Sequence, residues 1–290
     1  MRVAFLGLGV MGYPMAGHLL KKGGHDVTVY NRTAAKAAQW VAEYGGKSAP
    51  TPGAAAADCD VVMVCVGNDH DLRSVVLGAD GALAAMKAGA MLVDHTTASA
   101  TIARELHAAG KAGGVGFVDA PVSGGQAGAV NGQLGIMCGG DAADFERVRP
   151  VLEVYAKSCV LIGEAGAGQL TKMMNQIAIA GVLQGLSEAI AFGKRAGLDI
   201  EKVISVISKG AAQSWQMENR WKAMDAMKFD GFGFAVEWMR KDLGICLDEA
   251  KRNGARLPST AMIDQFYGQV QGRGGSRWDT CSLMHILGTD

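Results

Sequence analysis

The sequence predicts an α/β domain on a mostly parallel sheet, then an all-α domain, with one long helix joining them. In the first half, short runs rich in β-branched residues alternate with helical patterns, which is typical of β-α-β units. After about residue 165 the strand signals stop and only helical periodicity remains. The length of 290 residues is sufficient for two domains of ordinary size.

The composition is that of a globular protein, because hydrophobic residues make up 49% and charged residues 19% of the chain. Lys+Arg and Asp+Glu both number 28, so the formal net charge is zero. This balance gives no electrostatic attraction to nucleic acid or anionic lipid. The six cysteines include no Cys-x-x-Cys pair, and the histidines lack metal-ligand spacing. We therefore expect reduced thiols, no metal site, and a cytoplasmic protein without a nucleic-acid or membrane partner.

Five short apolar runs are the predicted strands of the N-terminal domain. They are RVAFL (2–6), DVTVY (26–30), VVMVCV (61–66), MLVDH (91–95) and FVDA (117–120). Helical patterns at 14–23 and 100–112 lie between them. We expect no secretory leader at the glycine-punctuated start of the chain and no stretch long enough to span a membrane.

A long helical pattern runs from Gln169 to Arg195 and contains Gly181, Gly185 and Gly193. Each glycine costs up to about 1 kcal/mol relative to alanine, which close packing of another helix would offset. The predicted organisation is a cofactor domain at 1–163, an interdomain helix at 164–195 and a helical domain at 196–290. We expect a homodimer or homotetramer in which helical domains are in contact. Further helices are predicted at 199–209, 214–224, 234–252 and 259–271.

A glycine-rich turn, Gly7-Leu8-Gly9-Val10-Met11-Gly12, follows the first strand directly and opens a helix. Gly7 would make the tight turn, Gly9 would let the backbone approach a pyrophosphate, and Gly12 would let the helix pack on the strand. In this strand–turn–helix context the motif predicts a Rossmann-type dinucleotide site at Gly7, Gly9, Val10, Met11 and Gly12. The alternative is a glycine-rich turn without a ligand.

The end of the second strand, Asn31-Arg32-Thr33, indicates which dinucleotide binds. An NAD enzyme usually has a carboxylate there that binds the ribose 2′-hydroxyl. No carboxylate is present, Arg32 can pair with a 2′-phosphate, and Thr33 can donate a hydrogen bond. We therefore expect NADP rather than NAD, with NAD binding and a solvated surface arginine left as the alternative.

A second glycine motif, Asp119-Ala-Pro-Val-Ser123-Gly124-Gly125, follows another strand, where ligands collect in open α/β sheets. The hydroxyl group of Ser123 and the amides of Gly124 and Gly125 could bind a carboxylate. Taken alone, the segment could equally be a turn.

Four segments occur in a fixed order and together resemble the β-hydroxyacid dehydrogenase family. They are GLGVMGYPMAGHL, DAPVSGG, GAGQLTKMMNQ (166–176) and MRKDLG (239–244). The family includes 3-hydroxyisobutyrate dehydrogenase, tartronate semialdehyde reductase and the glyoxylate/succinic semialdehyde reductases. The resemblance covers essentially the whole chain and implies a Rossmann-type N-terminal domain with a helical C-terminal domain.

The resemblance also assigns roles to individual residues. It implies that Lys172 is the catalytic lysine and that Asn175 and Gln176 are the amide pair orienting substrate and lysine. Gln176 stands where many members have asparagine. Thr97 falls where the family contacts the nicotinamide end, and Lys241 matches a lysine that contacts cofactor or substrate. The same resemblance makes Ser123, Gly124 and Gly125 the binding site for the acid group.

The chemistry of carbonyl reduction supports the role of Lys172. Hydride addition generates an alkoxide that needs a proton, and a partly desolvated lysine has a lowered pKa and can supply it. Asn175 and Gln176 lie three and four residues further along the same helix, so all three side chains can share one face. A solvent-exposed helix lysine would be the ordinary alternative.

The sequence therefore predicts an NADP(H)-dependent oxidoreductase that interconverts a small β-hydroxy acid and its semialdehyde or keto acid. Its partner would be a small carboxylic acid. An imine reductase is the first rival, although its lysine position often carries Asp or Tyr. A non-catalytic NADP-binding module and a 6-phosphogluconate dehydrogenase are the others. Non-catalytic modules of this kind tend to lose the lysine. A 6-phosphogluconate dehydrogenase has a larger helical domain and a basic cluster for sugar phosphate.

Overall fold

The computed structural model describes residues 1–288. The chain forms two compact units, Met1–Lys172 and a second that begins at Met173. The first unit is built on a nine-stranded sheet with the order β3-β2-β1-β4-β5-β6-β8-β7, in which β9 pairs with β8. Its strands are β1 Arg2–Leu6, β2 Asp26–Tyr30, β3 Lys47–Ser48, β4 Val61–Val64, β5 Met91–Asp94, β6 Gly116–Asp119, β7 Val122–Ser123, β8 Leu134–Gly140 and β9 Ala156–Gly163.

The six strands from β3 to β6 are all parallel, in the order of a doubly wound dinucleotide-binding sheet. All five predicted strands are confirmed to within two residues at either end. The prediction missed β3, β7, β8 and β9. β8 runs antiparallel to β6 and β7 and contains three glycines, which weaken the strand signal of its sequence.

Both faces of the central sheet are buried. In β1, Val3 and Phe5 point into one hydrophobic cluster, and Ala4 and Leu6 point into another on the opposite face. The helices that cover the sheet begin near the carboxyl ends of the strands. They are α1 Gly12–Lys21, α2 Ala34–Tyr44, α3 Pro52–Ala56, α4 Asp69–Leu72, α5 Ala82–Ala85, α6 Ala100–Ala112, α7 Gly125–Asn131 and α8 Ala142–Leu152, with a π-helical turn at Arg73–Leu77.

The second unit is helical, as the sequence predicts, and has its own hydrophobic core. Aspartate and serine caps start two of its helices: Asp199 accepts from the amide of Lys202, and Ser214 accepts from the amide of Met217. Its helices are α9 Ala167–Arg195, which starts in the first unit, α10 Ile200–Ile207, α11 Trp215–Asp225, α12 Val236–Asn253 and α13 Pro258–Gly272, followed by 3-10 turns at Gly275–Arg277 and Thr280–Ile286.

The expectation that no stretch is long enough to span a membrane was wrong for α9. This helix has 29 residues and is apolar enough to cross a membrane by length and composition. Half of its most apolar window is buried inside the protein, and the core helix of a soluble protein passes the same test of length and composition. Only Gly181, Gly185 and Gly193 of this helix were interpreted from the sequence, as positions where another helix packs closely.

Candidate active site

The glycines of the first turn occupy positions that suit a dinucleotide. Gly7 has a φ of +101°, and a side chain there would overlap the carbonyl oxygen of Cys65. A side chain at Gly12 would overlap the carbonyl oxygen of Gly7. At Gly9, by contrast, an added Cβ meets no atom within 4 Å. The turn is therefore tight at two glycines and open at the one where the sequence predicts that the pyrophosphate approaches.

Val10 is exposed and Met11 is half-buried, and both lie between this open position and the first residue of α1. The unpaired amides at the start of a helix carry partial positive charge. This turn can therefore hold phosphate through its backbone, and the residues present fit a dinucleotide.

Asn31, Arg32 and Thr33 lie directly after β2, but they differ in what they contact. The Oδ1 atom of Asn31 accepts from the amide of Leu8 at 2.9 Å, and its Nδ2 atom donates to the carbonyl of Thr33 at 3.0 Å. Asn31 thus ties the end of β2 to the glycine-rich turn. The Arg32 side chain is 87% exposed, 3.5 Å from a carboxylate oxygen of Asp71. Its guanidinium is accessible to an anion.

Two buried aspartates end the neighbouring strands β5 and β6. Asp94 and Asp119 face each other in the parallel register, and neither is exposed to solvent. Burial raises the pKa of Asp94 to about 7 and that of Asp119 to about 6. Asp94 accepts from the amide of Thr96 at 2.9 Å. Asp94 thereby shapes the segment that leads to Thr97, which is half-buried.

Ser123 ends the short strand β7 and is half-buried. Gly124 and Gly125 follow with φ values of +128° and +61°, which explains why glycine stands at both positions. An added Cβ at Gly125 meets no atom within 4 Å, and α7 begins there. A hydroxyl group and exposed glycine backbone therefore lie together at the start of a helix, as an anion site requires.

Lys172 lies near the start of α9 and is only 8% exposed. One turn earlier, Gln169 is fully buried and its side chain bonds to the chain on either side of Thr97. The backbone of the first turn of α9 donates to Asp119. The structure thus connects the start of the lysine-bearing helix to the ends of two strands.

Asn175 and Gln176 belong to a chain of hydrogen bonds in the second unit. Asn175 donates from Nδ2 to Oε1 of Gln176 at 2.8 Å, and Gln176 donates from Nε2 to Oδ2 of Asp242 at 2.6 Å. Lys241 forms an ion pair with the other oxygen of Asp242 at 2.9 Å. Asp242 is 1% exposed and orients both the amide pair and Lys241.

His95 is excluded as an acid–base group by its surroundings. Burial lowers its pKa to about 4, so the ring is neutral near pH 7. Its Nδ1 atom is 2.7 Å from the carbonyl oxygen of Ala120 and must donate, which leaves Nε2 to accept from the Tyr155 hydroxyl at 2.7 Å. His95 connects the ends of β5 and β6 and carries no proton to a ligand.

Three residues that hold the predicted site residues in place had no role in the sequence-based prediction: Asp119 and Gln169 in the first unit, and Asp242 in the second. Asp119 and Asp242 were inside recognised motifs but received no role. Asp119 carried a signal, since it is a charged residue between Val118 and Ala120. Asp242 follows Lys241 and carried no such signal. Gln169 precedes Lys172 by one helical turn, and its spacing alone places it on the lysine's face.

Comparisons with known proteins agree with this description. Residues 2–163 match the NAD binding domain of 6-phosphogluconate dehydrogenase. Residues 166–287 match the NAD-binding domain of NADP-dependent 3-hydroxyisobutyrate dehydrogenase. An uncharacterised oxidoreductase of Shewanella frigidimarina is 64% identical over 286 residues, covering 99% of this chain and 98% of the relative.

Two further relatives have more specific names. A probable 3-hydroxyisobutyrate dehydrogenase-like protein 1, mitochondrial, of Arabidopsis thaliana is 39% identical over 99% of this chain and 85% of its own. The structure of Mycobacterium tuberculosis 3-hydroxyisobutyrate dehydrogenase with L-serine has a TM-score of 0.88 at 32% identity, covering 99% of this chain and 98% of that one. The resemblance seen in the four ordered segments is therefore confirmed: the chain belongs to the β-hydroxyacid dehydrogenase family and is an NAD(P)-dependent oxidoreductase acting on the CH–OH group of hydroxy acids.

Proposed function

We propose that this enzyme uses NADP(H) to interconvert a small β-hydroxy acid and its semialdehyde or keto acid, with Lys172 as the general acid and base. The observation that carries the proposal is a buried lysine one turn after the anchored start of α9. The names of the relatives support a substrate of the 3-hydroxyisobutyrate or the 2-hydroxy-3-oxopropionate type.

In carbonyl reduction the bound nicotinamide supplies a hydride to the carbonyl carbon. Lys172 then gives its Nζ proton to the carbonyl oxygen as negative charge develops there, so the product is a neutral alcohol group. In the reverse direction the neutral amine takes the hydroxyl proton. Asn175 and Gln176 orient the reacting groups, and the hydrogen bond from Gln176 to Asp242 holds the amide pair in one arrangement.

The acid group of the substrate would be held by Ser123, Gly124 and Gly125. The backbone amides of the two glycines, together with the serine hydroxyl, suit a carboxylate better than a neutral group. A carboxylate bound there leaves the aldehyde end of a short acid to reach the lysine. The names of the relatives support substrates of only a few carbon atoms.

NADP would be preferred over NAD because Arg32 offers an exposed guanidinium and Asn31 stands where a carboxylate would repel the 2′-phosphate. Thr33 and Thr97 complete the proposed cofactor contacts at the adenosine and nicotinamide ends, and Lys241 is proposed to contact cofactor or substrate. The proposed location is the cytoplasm, where NADPH and reduced thiols coexist.

We propose a homo-oligomer because one face of α9 is exposed and largely apolar. Along this face an added Cβ at Gly181 or Gly185 meets no atom within 4 Å, and Met174 and Phe192 are 70% and 73% exposed. The face extends for about 27 Å at 1.5 Å per residue. It is apolar apart from Glu188, so a second copy of the chain is its proposed cover.

For Lys172 we expect substitution by methionine to lower kcat by about 10²–10⁴, the usual contribution of a positioned acid–base group. The Kd for NADPH should stay unchanged, because the proposed phosphate contacts lie elsewhere. Arginine should restore little activity, since a guanidinium hardly releases a proton. Lys194→Met, on the same helix, is the control. Stopped-flow NADPH oxidation measures the rates, and a Lys172→Arg enzyme with most of its kcat would contradict the role.

The substrate class is tested by NADPH consumption with a panel of short semialdehydes and their neutral methyl analogues. The acids should be reduced far better, because only they place a carboxylate on the serine and glycine amides. Ser123→Ala should raise KM for the acids more than it lowers kcat, if the hydroxyl binds ground state and transition state alike. Equal rates on the neutral analogues would remove the carboxylate site and favour an imine or ketone reductase.

For the cofactor we expect a higher kcat/KM with NADPH than with NADH, and loss of that preference in Arg32→Ala. A charge-assisted hydrogen bond of about 1.5–3 kcal/mol corresponds to roughly 10- to 150-fold. Arg149→Ala, which removes an arginine held by Glu146 and Glu153, should keep the preference. Steady-state kinetics with both cofactors decide the matter, and equal use by the parent enzyme would refute the assignment.

For the assembly we expect light scattering at micromolar concentration to give the mass of a dimer or tetramer. Val182→Glu places a charge on the exposed face of α9 and should yield monomers. Val206→Glu, on an exposed position of α10, should leave the mass unchanged. A monomeric parent protein across the micromolar range would rule the assembly out.

A further inference from the structure

Gln169 lies one helical turn before Lys172, and its side chain is completely buried. Its Oε1 atom accepts a hydrogen bond from the backbone amide of Ala98 at 3.0 Å. Its Nε2 atom donates to the carbonyl oxygen of Thr96 at 2.7 Å. The side-chain amide therefore pairs with the backbone on both sides of Thr97, as the peptide group of a neighbouring strand would.

The backbone of Gln169 is fixed as well. Its amide donates to Oδ2 of Asp119 at 2.9 Å, and the amide of Gly166 donates to Oδ1 at 2.7 Å. These bonds satisfy amides of the first turn of α9 that have no partner within the helix. Three points, namely the end of β6 and the two bonds beside Thr97, thus hold the start of the helix.

Gln169, Lys172 and Gln176 share one helix face, because they are separated by three and four residues. All three are buried. A displacement of the helix start would therefore move the lysine together with the glutamine. Lys172 follows Gln169 by a single turn, so little of the motion would be lost on the way.

We propose that Gln169 is a positioning residue that sets the place of the Lys172 ammonium relative to the Thr97 segment. The inference rests on the proposed function, in which Lys172 supplies the proton and Thr97 lies at the nicotinamide end. Proton and hydride must reach the two ends of one carbonyl bond, so the lysine and the cofactor have to be aligned with each other. A misplacement of about 1 Å can cost about 10²-fold in rate.

Two substitutions separate this role from general stability. Gln169→Leu removes both side-chain bonds while keeping a branched side chain of similar size. Gln169→Glu keeps the acceptor for Ala98 and can donate to Thr96 only when the carboxyl group is protonated. Its ionised form places a negative charge against a carbonyl oxygen, so burial and this contact both favour protonation. The glutamate variant should therefore recover as the pH falls.

Asp94 and Asp119 end the strands beside Gln169, Asp69 accepts from Ser99 next to Ala98, and Lys172 lies one turn further along the helix. The same groups are present in the parent enzyme, so each variant is compared with the parent at the same pH. Gln184→Leu is the matched control, because Gln184 is a buried glutamine of the same helix that donates to Glu188 at 2.6 Å.

We expect Gln169→Leu to lower kcat by about 10- to 100-fold, with the Kd for NADPH within about threefold of the parent value. Gln169→Glu should match the leucine variant near pH 9 and regain at least about tenfold, relative to the parent, towards pH 6. Gln184→Leu should keep its kcat even where its melting temperature falls. A parental kcat in Gln169→Leu, or a Gln169→Glu-to-parent ratio independent of pH, would overturn the inference and leave the proposed function intact.

Amide hydrogen exchange of the ligand-free protein provides a second readout. Exchange at Ala98 should be faster in Gln169→Leu than in the parent and in Gln184→Leu, because its acceptor is gone. Equal protection in all three proteins would overturn the inference. A parent enzyme inactive on the whole panel of acids would instead contradict the proposed function, and exchange at Ala98 would still show whether Gln169 holds this segment.

Discussion

The start of the lysine-bearing helix depends on the hydrogen bonds that the carboxylate of Asp119 accepts. Asp119 ends β6, is fully buried, and accepts from two amides at the start of α9. A negative group at this position satisfies orphan donors and faces the positive end of a 29-residue helix. Burial nevertheless raises its pKa to about 6, so desolvation outweighs those favourable contacts. The cost of desolvating this carboxylate arises where the end of β6 is hydrogen-bonded to the start of α9.

The close approach of α9 to the sheet also restricts which residues can stand beside Asp119. A side chain at Gly168 would overlap the carbonyl oxygen of Met137, and one at Gly139 would come within 2.7 Å of Oδ1 of Asp119. Both positions therefore need glycine for close approach, not for unusual backbone angles. The glycine content that weakens the strand signal of β8 is the same feature that lets α9 begin against the sheet. At these two positions glycine lowers the strand or helix propensity of its segment, but it permits the contact between α9 and the sheet.

Much of the fold could be predicted because its signals are local. The fingerprint turn, five of the parallel strands and α6, at 100–112, follow from periodicity and glycine spacing. β8 was missed because its glycines weaken the strand signal of its sequence. β9 contains an apolar run at 159–162 that carried a strand signal, and the prediction did not use it. In the site, Lys172 was recognisable from its motif. The contacts of Gln169 with residues about 70 positions earlier were not, because only the folded chain brings them together.

The side-chain hydrogen bonds from Asn175 to Gln176 and from Gln176 to Asp242 run in one direction, which the carboxylate of Asp242 imposes. Asp242 can only accept, so Gln176 must present its Nε2 atom to it. The Oε1 atom of Gln176 then points away and accepts from Nδ2 of Asn175. In this order Asn175 is a donor to Gln176, and Gln176 is both an acceptor and a donor. Glutamine at 176 keeps the amide polarity despite its extra methylene, because a buried carboxylate 66 residues away fixes which end is which.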